Sequence, residues 1–332
     1  MKEELTLVWV ELGRNIPRYL KRNIKLHRRL YPNSNLVLVT DRQYEDSNLS
    51  EVFDVNELTK SSLHQNFVEI NKVWNSHQMS FWINTTKRLF VLHDHILTSG
   101  LSSIIHLESD VILLDYDSAK KVCEIATATN QIAYPMYDDS FGSAGIIFIP
   151  NHRALEGCLN FIINHWETEG ETDMSLLGKY RSHSFTLYNG INDEFGNQPS
   201  GSQVVWDGGR LGQYFLGTDA RNSRFPLSRR YKVGLLNPSE VAKLERIRFN
   251  FEMIKRNPQT GGRKILASIH VHNKLIPRTK AALSIQLRMS IGLSNYLKYI
   301  NLYRLDSVVL AERLISFVKR RFKGDKREVN LR

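Results

Sequence analysis

The stretch "IIHLESDVILL" (residues 104–114) decides how this chain is read. Two short apolar runs, each suited to a strand covered on both faces, are separated only by Glu108-Ser109-Asp110. On an extended chain, carboxylates at i and i+2 project to one side. Charges set between buried strands need compensation. Two oxygen ligands on one side suit a hard divalent cation that keeps positions open for phosphate oxygens. The plainer reading is a solvated acidic turn.

Working outward, "LTLVWV" (5–10), "NLVLVTD" (35–41), "QIAYP" (131–135) and "AGIIFIP" (144–150) read as further strands, and "VILLDYD" (111–117) as continued extended chain. Helices are expected after Pro17, with Asn15 as cap, and over 79–98, 118–127 and 152–166. This β-α-β order implies an α/β fold with a mainly parallel sheet and helices on both faces. Ligands on such sheets gather at the carboxyl ends of the strands, where Glu11, Asp41 and Glu108–Asp110 fall.

From about residue 190 the chain is loop-rich until "ILASIHV" (265–271), a final strand leading into "HNK". Strand alternation puts His270, His272 and Lys274 on one face and Ile269 and Val271 on the other. One imidazole could complete a metal site with Glu108 and Asp110. His272 is preferred and His270 is the alternative, while Lys274 could neutralise a phosphate. Two surface histidines beside a solvated lysine remain the bland alternative. "VVWDGGRLGQYFLGTDARN" (204–222) combines Trp206, Asp207, a glycine pair and Arg210, which suits sugar or acceptor binding or, equally, a packed loop and amphipathic helix.

Charge is unevenly distributed over the 332 residues. Residues 1–220 hold 19 basic and 27 acidic side chains, and 221–332 hold 26 and 7. A basic last third points to a polyanionic partner. Two cysteines, Cys123 and Cys158, exclude a disulfide framework and read as buried thiols. No signal peptide and no bilayer-spanning run is visible, so a cytoplasmic protein is expected. Apolar stripes over 283–323, ending in Lys319, Arg320, Arg321 and Lys323, suggest helices that pack on the body or lie on an anionic membrane surface at the inner face of the cytoplasmic membrane. The expected division is a catalytic domain over 1–276 and a basic amphipathic extension over 277–332.

Taken in order, these blocks resemble a GT-A-fold (Rossmann-like) glycosyltransferase, closest in layout to family 8 and its DXD-containing relatives. "TTKRLFVLHDHI" (85–96) resembles the helix that places an arginine, here Arg88, near the donor. "HLESDVILL" resembles the DXD block with Glu in place of the first Asp. "GSAGIIFIP" (142–150) resembles the small-residue strand, with Ser143 where Asn is usual. "ETDMSLL" (171–177) resembles the Asp-containing helix, giving Asp173, and "IHVHNK" the metal-and-phosphate block.

The resemblance implies a metal-dependent transfer of sugar from a UDP- or GDP-sugar to a hydroxyl of a glycan or lipid-linked acceptor, as in cell-surface polysaccharide synthesis. Glu108, Asp110 and a histidine would bind Mn²⁺ or Mg²⁺. Ser109, Arg88 and Lys274 would attend the nucleotide, and Glu11 and Asp41 its base and ribose. Asp139, Ser143, Trp206 and Arg210 would face sugar or acceptor. Asp173 and Asp207 lead the catalytic candidates, with Asp138 and Asp139 behind them, and the stereochemical outcome is open. The rivals are a metal-dependent nuclease or nucleotidyltransferase using the basic third, and a non-catalytic glycan- or nucleotide-binding module. Nucleic acid ranks third among partners because no nucleic-acid-binding module is recognisable.

Overall fold

The computed structural model describes residues 5–13, 15–73, 77–166, 171–187, 189, 204–216, 247–249, 264–272, 274 and 276. The basic region from 277 onward, including the expected helices of 283–323, lies outside the described residues.

In chain order the elements begin with β1 (Thr6–Glu11), α1 (Arg18–Leu30), β2 (Asn35–Thr40), β3 (Glu51–Asp54), α2 (Ser62–Ile70) and α3 (His77–Ser99). Next come β4 (Ile104–Leu107), β5 (Val111–Leu113), α4 (Tyr116–Thr129), β6 (Ala133–Pro135), β7 (Ile146–Ile149) and α5 (His152–His165). The described part closes with α6 (Asp173–Tyr180), β8 (Phe185–Leu187), β9 (Val204–Trp206), α7 (Arg210–Leu216), β10 (Ile247–Phe249) and β11 (Lys264–His270).

A seven-stranded sheet runs β3-β2-β1-β4-β7-β6-β8. Strands β3 to β4 are parallel, β7 is antiparallel to both neighbours, and β8 is parallel to β6. The continuous apolar runs are explained by helices on both faces. Val8, Val10, Val37 and Val39 point into one core with Phe67, Phe90 and Leu155, whereas Leu7, Trp9, Leu36 and Leu38 point into the other with Leu20 and Ile24. Each fully buried side chain of this kind contributes about 1.5–3 kcal/mol. Cys123 and Cys158 are buried free thiols, as expected.

A second, four-stranded sheet is centred on β11, which pairs parallel to β9 and β10 and antiparallel to β5. Glu108-Ser109-Asp110 therefore occupies the crossing from the large sheet, at β4, into the small one, at β5. Two local expectations are corrected. Pro17, not Asn15, occupies the cap of α1 and no side chain caps it. The extended chain after Asp110 stops at Leu113, and α4 begins at Tyr116. Among the described residues no helix is long and apolar enough to cross a membrane.

Candidate functional site

Adjacency of β2, β1 and β4 brings their polar carboxyl ends together. The Ser109 hydroxyl donates to Glu11 Oε2, joining the end of β1 to the end of β4. The crossing loop is fixed by backbone and side chain alike. Glu108 N–H donates to Gly145 O at 2.9 Å, and Val271 N–H donates to Asp110 O at 2.8 Å. Asn23 Nδ2, buried on α1, donates to Ser109 O at 3.1 Å and Val111 O at 2.8 Å.

This loop carries a dense set of opposed charges. Arg88 Nη2 lies 2.5 Å from Glu108 Oε1. His270 Nε2 lies 3.2 Å from Asp110 Oδ1 and 3.5 Å from Glu108 Oε2. The Lys274 ammonium contacts Asp110 Oδ2, and it stands 5.2 Å from the centre of the Tyr19 ring. Burial works against ionising both carboxylates. The Arg88 guanidinium outweighs it at Glu108 and His270 outweighs it at Asp110, so each sits below its usual range. Glu11 goes the other way, raised by burial despite its bond from Ser109.

Asp110, His270 and His272 form a cluster able to hold a divalent metal ion, with one ligand atom from each all within 4.8 Å of one another. Ligands about 2.0–2.2 Å from a shared ion lie up to about 4.4 Å apart, a spacing this set approaches. Three further observations fit that use. The imidazoles of His270 and His272 stack with centroids 3.8 Å apart, so the pair acts as one wall. Burial and the neighbouring His270 lower His272 to about 3, leaving a neutral ring whose Nε2 stands 3.5 Å from Gln213 Nε2. Burial opposes charge on His270, but Asp110 and Glu108 raise it above the usual range, so a proton occupies the place a cation could take. Two imidazoles with a carboxylate suit manganese and later first-row metals better than magnesium.

The strand reading of "IHVHNK" changes in one respect. β11 ends at His270, and Lys274 returns to Asp110 through a turn in which its N–H donates to Val271 O at 2.8 Å. Lys274 holds φ at 60°, a left-handed backbone uncommon for a side-chain-bearing residue. Glycines let the backbones close in on the imidazoles. A Cβ at Gly145 would lie 3.1 Å from His270 Nδ1, and one at Gly209, whose φ is +118°, would lie 3.0 Å from His272 Nε2.

The remaining expected residues occupy different surroundings. Asp173, at the start of α6, is 2% exposed and stands in the field of Arg88 and Glu108. Burial raises it to about 6, with Arg88 opposing. Ser143 is buried and its Oγ accepts from Gly145 N–H at 3.2 Å, one step from His270. Asp41 stands apart, accepting from Gly13 N–H at 3.1 Å beside Arg42. Asp139 is exposed on the loop between β6 and β7, where its carbonyl accepts from Arg181. Arg210 is partly buried in the field of Tyr137.

Trp206 and Asp207 need correcting. The Trp206 ring is fully buried against Phe148, at 5.1 Å between centroids, and offers no platform for a sugar. The Asp207 carboxylate accepts from four backbone N–H groups: Gly209 at 2.7 Å, Leu211 at 3.1 Å, Gly212 at 2.8 Å and His270 at 2.9 Å. Burial raises its pKa while those N–H groups oppose. Its geometry is that of an anchor holding the turn into α7 against the end of β11. Asn23 and Thr85, which bonds Asp173, were missed. A polar Asn23 between Leu20 and Ile24 on an apolar helical face was the available signal.

No protein-family model matches the chain, and a search of curated proteins finds no match. Among solved structures it is similar to PaToxG glycosyltransferase, with 12% identity over 54% of this chain and 68% of that one, at a TM-score of 0.37. It is similar to the apo WbbM bifunctional glycosyltransferase, with 13% identity over 63% of this chain and a TM-score of 0.37, spanning only 41% of that protein. A third likeness is to mouse xyloside xylosyltransferase 1 in its apo form, with 10% identity, 57% and 87% coverage, and a TM-score of 0.39. All three are too distant to carry residue roles across.

Proposed function

We propose that this chain is a metal-dependent glycosyltransferase of GT-A type, moving a sugar from a nucleotide-sugar to a hydroxyl acceptor. The observation that carries the reading is the meeting of Asp110, His270 and His272 at the sheet crossing, flanked by Lys274 and Arg88. Carboxylate and imidazole ligands beside cationic side chains are what a nucleoside diphosphate leaving group requires. The order of sequence blocks around them supports the same conclusion.

In this reading Asp110, His270 and His272 hold the ion, with Mn²⁺ the best fit, and Glu108 keeps Arg88 in place beside them. When bound, such an ion supplies positive charge against a departing diphosphate. Lys274 and Arg88 add their own charges on the same side. The nucleoside extends from the crossing across β1 toward Asp41. Asp173 is buried and raised to about 6, so near neutral pH it can hold or release a proton within the field of Arg88. That makes it the leading acid–base candidate, and Asp207, engaged by four N–H groups, leaves that role.

A screen of UDP- and GDP-sugars by thermal shift and by metal-dependent hydrolysis without acceptor tests the reading. Stabilisation by at least one nucleotide-sugar in Mn²⁺, with release of its nucleoside diphosphate, is expected. No stabilisation by any nucleoside diphosphate would remove the proposal.

A further inference from the structure

A cleft of about 300 Å³ lies at the carboxyl ends of β1, β2 and β3, closed on its far side by α2 and α3. None of Glu11, Arg88, Glu108, Asp110, Asp173 or the β11 histidines lines it, so it is separate from the crossing. Two ammonium groups border it, those of Lys60 and Lys87, and among the described residues neither has an ion-pair partner. They oppose each other: burial lowers the Lys87 ammonium below its usual range and Lys60 lowers it further, with Asp41 acting the other way.

The back of the cleft adds an independent observation. His64 lines it, is 1% exposed, and has Nδ1 held 2.5 Å from Asp94 Oδ2. Asp94 also accepts from Ser61 N–H at 3.0 Å, so the carboxylate that orients the ring is itself fixed. His64 Nε2 is buried and has no hydrogen-bond partner. A polar atom left this way normally meets a ligand or water. The lining carboxylate, Asp41, already accepts from Gly13 N–H and stands 3.7 Å from Arg42 Nε, and it forms no ion pair with either lysine although its charge reaches Lys87. Asn84 lines the same cleft with an exposed amide.

We propose that this cleft is an anion subsite for a phosphoryl group, gripped by Lys60 and Lys87 with His64 behind them. Ammonium groups bind phosphate oxygens as point charges without demanding one orientation. The cleft therefore takes a phosphate or diphosphate that is either free or carried on a nucleotide. The proposal uses no residue of the crossing; it shares Asp41 with the nucleoside's path, and its test is run without metal or sugar so that the two readings fail separately.

The test is calorimetric titration of the full chain in EDTA, which silences any metal-linked binding. Inorganic pyrophosphate and a nucleoside 5′-diphosphate are the two probes. Binding of at least one probe is expected, weakened about tenfold or more in the Lys60→Gln/Lys87→Gln double variant. Tighter binding of the nucleotide by a similar factor assigns the phosphoryl group to a nucleotide, and comparable binding assigns it to a free anion. Asn84→Asp, at an exposed position where folding is not at stake, is expected to weaken binding by placing a carboxylate in the cleft. No binding of either probe, or equal affinity in wild type and both variants, would overturn the proposal. A failed nucleotide-sugar screen would leave the pyrophosphate arm of this test standing.

Discussion

Asp110 and Asp207 are the same residue type, both buried, both bonded to the end of β11, and they are satisfied in opposite ways. Asp207 is held by four backbone N–H groups, none of which can move without unfolding the turn. Asp110 is answered by side chains, those of Lys274 and His270, rather than by fixed backbone groups. What satisfies a buried carboxylate thus decides whether it is part of the frame or free for chemistry. Sequence alone made Asp110 a metal ligand and Asp207 a catalytic candidate, and only their partners separate frame from site.

The largest effect that sharpens this contrast is on stability. Asp207→Ala strands four buried donors, so a loss of about 3–5 kcal/mol is expected in denaturant unfolding. Gly212→Ala should act on the same turn, because its Cβ would stand 1.8 Å from His270 O. Asp110→Ala should show the reverse pattern, with divalent affinity falling about 100-fold or more and an unfolding loss well below that of Asp207→Ala. If the two variants lose stability equally, the contrast breaks.

Asp173 supplies an intermediate case with a pH signature. Its folded pKa of about 6 lies above the ordinary 3.8, so between those values the folded state binds more protons than the unfolded state. Its contribution to stability therefore declines as pH rises from about 4 to about 6 and stays low above that. Asp173→Asn should match wild type below about pH 4 and exceed it by about 1–3 kcal/mol at pH 7–8. Equal stability of the two proteins across that range would show that the carboxyl is not perturbed. The smallest effect concerns His272, whose ring is neutral. His272→Gln should lower divalent affinity about tenfold while leaving the unfolding midpoint nearly unchanged. Calorimetry and thermal denaturation on one preparation read both.

How much was legible in the sequence follows the same physics. Strands β1, β2, β4 and β7 were readable because burial on both faces writes itself as continuous apolar runs. The E-S-D crossing was readable because charges between such runs are conspicuous. Strand β3 is largely exposed and β9 and β10 are only three residues long, so none of them writes itself as a continuous buried run. The pairing of His270 with Val111, which closes the site, joins segments far apart in the chain, and register across that gap leaves no local mark. The sugar-platform reading of Trp206 failed because an aromatic beside Asp-Gly-Gly looks alike whether its ring faces a ligand or Phe148. Lys60, His64 and Lys87 were passed over because they meet only once α2 and α3 pack across the ends of β1 to β3.

The central claim is that the crossing between the two sheets binds a divalent cation through Asp110 and the β11 histidines. Titration of Mn²⁺ into the purified chain, followed by electron paramagnetic resonance, measures this directly. The account predicts one ion bound per chain in wild type and loss of that ion in Asp110→Ala with the protein still folded. Equal Mn²⁺ stoichiometry and affinity in the two proteins would contradict it.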